Sequence, residues 1–104
     1  MSAEYFLEIL SRNGEVEGRQ RFDSLPIRLG RAYDNDYILE DPHTAAHHAQ
    51  IELNEQGHLQ IRDLGSKNGI TYQNRRHHTL ELDGNRVLRL GQTLIRVRDR
   101  DFVV

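Results

Sequence analysis

The sequence predicts an all-β fold, a two-sheet antiparallel β-sandwich of about ten or eleven short strands. Three observations carry that expectation. Apolar residues come in short runs or alternate with polar ones, the pattern of strands that bury one face. The segments between them carry turn chemistry, Asn13-Gly14, Asp83-Gly84 and Gly91-Gln92 among them. No window keeps the i, i+3, i+4, i+7 apolar stripe that a helix of several turns needs to face a core.

The elements follow in order. EYFLEILS is a strand, Asn13-Gly14 in RNGE is a tight hairpin turn, and VEGRQRF is the return strand. PIRLG begins a strand after Pro26, and DYILE is a short strand beyond a polar loop. HHAQIEL and HLQIRDL flank NEQG as a second hairpin. After the loop GSKNG come ITYQ, TLEL, RVLRL and TLIRVR. In the last of these, Ile95 and Val97 alternate with Leu94, Arg96 and Arg98, which predicts one face toward the core and one toward water.

Length and composition narrow the function. A chain of 104 residues has room for one core, so residues 1–104 are taken as a single domain. Fourteen Lys and Arg against sixteen Asp and Glu give a formal charge of -2, so no global field draws the chain to nucleic acid or to an anionic membrane. The absence of cysteine excludes disulfides, thiolate metal sites and a Cys nucleophile. No signal peptide and no apolar window near the roughly 20 residues of a membrane span are seen, so a cytoplasmic location is expected.

In a sandwich, strand ends gather loops at one edge, and two loops here are chemically loaded. Gly30-Arg31 pairs a glycine that permits close backbone approach with a planar fork of donors suited to phosphate. Asp63 to Gly69, DLGSKNG, combines two glycines, a hydroxyl, an ammonium and an amide. Turns of this kind aim backbone N–H groups at anions or peptide carbonyls.

Taken in order, Gly30-Arg31, Asn35-Asp36, Ile38-Leu39, Asp41, His48-Ala49-Gln50-Ile51 and Asp63-Leu64-Gly65-Ser66-Lys67-Asn68-Gly69 resemble a forkhead-associated (FHA) domain. The resemblance covers Leu29 to Gln73 closely. It implies a β-sandwich that recognises phosphothreonine peptides through loops at one end. By resemblance Arg31 grips the phosphate, Asn68 bonds the peptide backbone beside it, and Ser66 and Lys67 border the same cleft. Gly30, His48, Asp63 and Gly69 are structural, His48 bracing the loops. Thr44 and His47 are candidates for the rim.

The departures bear on the same site. The family's phosphate-contacting serine stands three residues before the histidine, where this chain has Ala45, and the arginine after it becomes Ala46. Ile70 replaces the threonine of Asn-Gly-Thr, and Asn74-Arg75 replaces a common Asn-Gly. Thr44-Ala45-Ala46-His47 offers the Ser/Thr-x-x-His spacing one residue earlier. Strand parity opposes that register, because a slip of one would exchange the core and water faces of HHAQIEL unless a bulge absorbs it.

Other chemistries fare worse. Asp41, His43, His47 and His48 crowd one loop and His77-His78 another, but adjacent strand residues point to opposite faces, so no metal site and no cofactor are expected. NRRHH lacks interleaved aromatics and reads as a solvated hairpin tip rather than a nucleic-acid patch. No nucleophile elbow or P-loop is present, so the chain is not expected to be an enzyme. The expected function is a protein-interaction module, either a phosphothreonine reader with a degraded phosphate pocket or a phosphate-independent docking domain. A metal- or nucleic-acid-contacting role is the remote alternative. Because FHA domains commonly sit beside an effector or membrane region, the chain is expected to be a fragment of a longer protein.

Overall fold

The structure, a computed structural model, describes residues 4–99. Eleven strands are present among them: β1 (Tyr5–Leu10), β2 (Val16–Phe22), β3 (Ile27–Gly30), β4 (Tyr37–Ile38), β5 (Ala49–Leu53), β6 (Leu59–Asp63), β7 (Ile70–Tyr72), β8 (Arg75–His77), β9 (Thr79–Glu81), β10 (Leu88–Leu90) and β11 (Thr93–Asp99). They form a six-stranded sheet in the order β2-β1-β11-β10-β7-β8 and a five-stranded sheet in the order β4-β3-β5-β6-β9. The fold is the antiparallel sandwich that the alternation predicts, with one exception: β3 and β4 run parallel, pairing Leu29 with Tyr37 and Gly30 with Ile38. The short connection from Arg31 to Asp36 is no regular parallel crossover, and β4 pairs over only two residues.

Register explains the core. Ile27, Ile51, Ile61 and Leu80 lie side by side across the five-stranded sheet, and all four are buried. Opposite them the six-stranded sheet buries Leu7 against Val97, with Leu88 beside Ile95 and Leu90 beside Ile70. Each such side chain contributes about 1.5–3 kcal/mol relative to exposure. The alternation of β11 is as expected: Ile95 and Val97 are buried, whereas Arg96 and Arg98 lie on the other face.

The segment NRRHH differs from its sequence reading. Gln73 and Asn74 both have positive φ, 50° and 63°, the pair of left-handed residues that a two-residue hairpin turn requires. The chain therefore reverses at once, and Arg75–His77 becomes β8, paired with β7. Only Gln73 and Asn74 form the tip.

The outer face of the five-stranded sheet carries a polar lattice. Glu52 accepts hydrogen bonds from Arg62 Nε at 3.0 Å, Gln60 at 2.7 Å and Gln50 at 2.9 Å. The Arg62 guanidinium, with help from both amides, holds the Glu52 carboxyl down at about 2 despite the opposing effect of burial.

Candidate functional site

Three loops meet at one end of the sandwich: β3–β4, β4–β5 and β6–β7. The first is zipped to the second by its backbone. Arg31 N–H donates to the carbonyl of Ala45 at 3.0 Å and Ala32 N–H to that of Ala46 at 3.1 Å. This approach is the reason for Gly30, since a Cβ there would lie 2.2 Å from the Ala46 carbonyl oxygen. Asn35, nearly buried, locks the same junction by donating from Nδ2 to the carbonyls of Ala32 and Ala46, each at 2.8 Å. On the outside, His47 Nε2 stands 2.9 Å from Asp34, and that hydrogen bond holds the Asp34 carboxyl below its ordinary range.

The β4–β5 loop hangs from Asp41. One carboxylate oxygen accepts His43 N–H at 2.8 Å, closing a tight local turn. The other accepts the Gln92 N–H at 2.7 Å and the Thr93 hydroxyl at 2.8 Å, which ties the loop to the β10–β11 turn. Burial pushes this carboxyl up, but the two backbone N–H groups and the hydroxyl outweigh it and hold it below its usual value. His48 closes the loop. Its Nδ1 accepts the Ala45 N–H at 3.0 Å, so the ring proton sits on Nε2, which donates to the Gly69 carbonyl at 2.8 Å.

The β6–β7 loop is built around Asp63. Its carboxylate accepts the N–H groups of Gly65 and Ser66, both at 3.1 Å, and the Ser66 hydroxyl. That hydroxyl in turn accepts Gly69 N–H at 2.8 Å. Ser66 is buried and its hydroxyl braces the loop, so it acts on the cleft by shape. From β8, Arg76 donates to the Ser66 carbonyl at 3.1 Å and packs over Gly69.

Between these loops lies a cleft of about 270 Å³ lined by Pro42, His43, Thr44, Ala45, Lys67 and Asn68. Asn68 spans it, donating from Nδ2 to the His43 carbonyl at 2.8 Å. Its Oδ1 accepts no protein hydrogen bond among the described residues. The Lys67 ammonium is exposed and has no ion-pair partner among the described residues, and no acidic side chain lines the cleft. The cleft therefore offers one cation and one amide to an anionic or carbonyl-bearing ligand.

The structure thus brings Lys67, Asn68 and Thr44 together. The Thr44 hydroxyl is buried and donates to the Asp41 carbonyl at 2.6 Å. Arg31 is not among the lining residues; its backbone abuts Ala45 and its exposed guanidinium makes no ion pair among the described residues. His47 faces Asp34 rather than the cleft. In β5, Ala49 and Ile51 are buried while Gln50 and Glu52 are not, the unshifted register. Sequence reasoning missed Pro42 and His43 as lining residues. The Asp41-x-His43 spacing of a carboxylate-capped turn is the signal that points His43 to the lip.

The family model for the FHA domain matches residues 27–91. Among solved structures, the FHA domain of the CT664 protein from Chlamydia trachomatis is similar at 30% identity and a TM-score of 0.76, covering 90% of this chain and 95% of that one. An FHA domain described in a study of phosphothreonine-dependent FHA interactions is 26% identical, with a TM-score of 0.74 over 91% of this chain and 95% of its own. The FhaA FHA domain, complexed with the intracellular domain of Rv3910, is 26% identical with a TM-score of 0.73, covering 90% of this chain and 99% of that one. No curated protein matches the chain in sequence. With the loop frame, the sandwich topology and the family match in agreement, the chain belongs to the FHA domain family and is a protein-interaction module rather than an enzyme.

Proposed function

We propose that this domain takes a phosphothreonine-bearing segment of a partner protein in the cleft between the β4–β5 and β6–β7 loops. The observation that carries this reading is that Lys67, without an ion-pair partner among the described residues, stands beside Asn68 on the lip of a cleft that no carboxylate lines. Arg31, held beside Ala45 by its own backbone, supplies a second cation from the adjoining loop. The relative whose interactions are phosphothreonine-dependent supports the same reading. Ala45 stands where a hydroxyl would complete the phosphate's contacts. One missing hydrogen bond to a charged group costs about 1.5–3 kcal/mol, roughly 10- to 150-fold in affinity. The site is therefore a weak phosphate reader, and its partners are those of the cytoplasm, where kinases act.

A second reading has its own observation. Pro42, His43 and Ala45 give the cleft a partly apolar lip, and Asn68 is already engaged with His43, an arrangement suited to an unphosphorylated peptide. Calorimetry against a degenerate phosphothreonine peptide library, with the unphosphorylated library as control, separates the two. Lys67 is the single lysine of the chain, so amine-reactive labelling located at Lys67 by peptide mass spectrometry, apart from the α-amino group, reports on the cleft. Phosphopeptide binding that shields Lys67, with no binding of the control, supports phosphate reading. Equal binding of both libraries gives the site to the phosphate-independent mode.

A further inference from the structure

The outer face of the six-stranded sheet holds a second charged surface, independent of the cleft. Register places Phe6 of β1 opposite Arg21 of β2 and Arg98 of β11, and Glu8 opposite Arg19 and Arg96. Arg89 of β10, opposite Leu94, extends the same face. Three guanidiniums converge on the nearly buried Glu8: Arg96 at 2.8 Å, Arg98 at 3.5 Å and Arg19 at 3.8 Å. Glu4 takes Arg21 at 3.1 Å. Among the described residues, and leaving Arg98 aside, four arginines stand against the two carboxylates Glu4 and Glu8 on this face, an excess of two positive charges. Glu17, exposed at the bulged end of β2, does not reverse it. The whole chain carries -2, so this excess is a local feature.

One buried carboxylate needs one good partner, and Arg96 provides it. The guanidiniums of this face are held in place as well. The Arg96 and Arg98 side chains are only 19% and 26% exposed. Arg19 lies 4.3 Å over the Phe6 ring, and Arg98 Nε donates to the Gly84 carbonyl at 3.2 Å. Guanidiniums fixed this way lose little further freedom when they bind an anion.

We infer that this face docks an extended acidic segment of a partner protein, one with carboxylates at alternate positions. Arg19 and Arg21 stand two residues apart on β2, and Arg96 and Arg98 two apart on β11. Residues two apart on an extended chain present side chains to one side about 6.5–7 Å apart, so an acidic strand with that alternation matches either row. Nucleic acid fits less well. The net charge opposes approach of a polyanion, and the one aromatic ring on the face among the described residues, Phe6, is already covered by Arg19.

The test is an isotope-labelled NMR titration of the domain with a short peptide alternating glutamate and serine. A peptide of the same composition with its glutamates in one block, a DNA oligonucleotide and phosphatidylserine vesicles are run beside it. The expected result is saturable shifts confined to β1, β2, β10 and β11, tighter for the alternating peptide than for the block. The exposed pair Arg19→Gln with Arg21→Gln should weaken binding about 5-fold or more, with only a small fall in thermal stability from the lost Phe6, Glu8 and Glu4 contacts. Arg31→Ala with Lys67→Ala should leave the titration unchanged, which keeps this surface distinguishable from the cleft. Absence of shifts, shifts centred on the β4–β5 and β6–β7 loops, or tighter binding of the oligonucleotide or vesicles at the same residues would overturn the inference.

Discussion

His48 donates from Nε2 to the carbonyl of Gly69 at 2.8 Å, which ties the end of the β4–β5 loop to the end of the β6–β7 loop. With Nδ1 occupied by the Ala45 N–H, both ring nitrogens are committed in a fully buried side chain. Replacing His48 with Ala leaves a buried carbonyl and a half-buried N–H without their partner and opens a cavity. The expected cost is about 3 kcal/mol, read as a lower urea midpoint with an unchanged slope.

Ala45 faces the cleft, and its own backbone groups are engaged by Arg31 and His48. Ala45→Ser adds a hydroxyl at little steric cost. Phosphothreonine peptide affinity should rise about 5- to 10-fold at fixed ionic strength, and Arg31→Ala should remove the gain. If Ala45→Ser has no effect while Thr44→Val weakens binding, Thr44 supplies the hydroxyl after breaking its bond to Asp41.

Gly30→Ala should be the most damaging small substitution in the frame. The new Cβ would meet the Ala46 carbonyl oxygen at 2.2 Å and Asn35 Nδ2 at 2.9 Å, so the β3–β4 loop must lift from its partner. A loss of about 3 kcal/mol or more is expected in chemical denaturation, together with loss of phosphopeptide binding.

Much of this could be read from residue order, and the rest could not for identifiable reasons. The alternation of Ile95 and Val97 with Arg96 and Arg98 predicts a half-buried strand because parity is a local property. Asn13-Gly14 predicts its hairpin for the same reason. Strand β8 was hidden because Gln73 is an unusual residue for a left-handed turn position, so the turn carried no glycine signal. The anchoring of Asp41 on Gln92 and Thr93 joins residues about fifty positions apart, beyond any local pattern. For Arg31 and Ser66, motif position names the residue and only the structure adds its surroundings: the Ser66 hydroxyl is bonded to Asp63 and the Arg31 backbone to Ala45.

The Glu52 lattice predicts an acid-sensitive contribution to stability. Its carboxyl drops from 4.5 to about 2 on folding, so the contribution is fully present above about 4.5 and fades as pH falls toward 2. Because Arg62 is 38% exposed, solvent screening limits it to about 1 kcal/mol. Glu52→Gln should lower stability by that amount at pH near 7 and by almost nothing near pH 2, compared by urea denaturation at both values.

At position 45 the scaffold uses only the peptide N–H and C=O, groups that every residue except proline supplies in full. The side chain there is thus an adjustable setting on a frame that does not depend on it. On the proposed phosphothreonine reading, a change between alanine and serine should alter how tightly the module binds a phosphorylated partner and leave its folding untouched. Binding strength and durability are then separable at this position: on that reading, the site can be tuned without first compensating for lost stability.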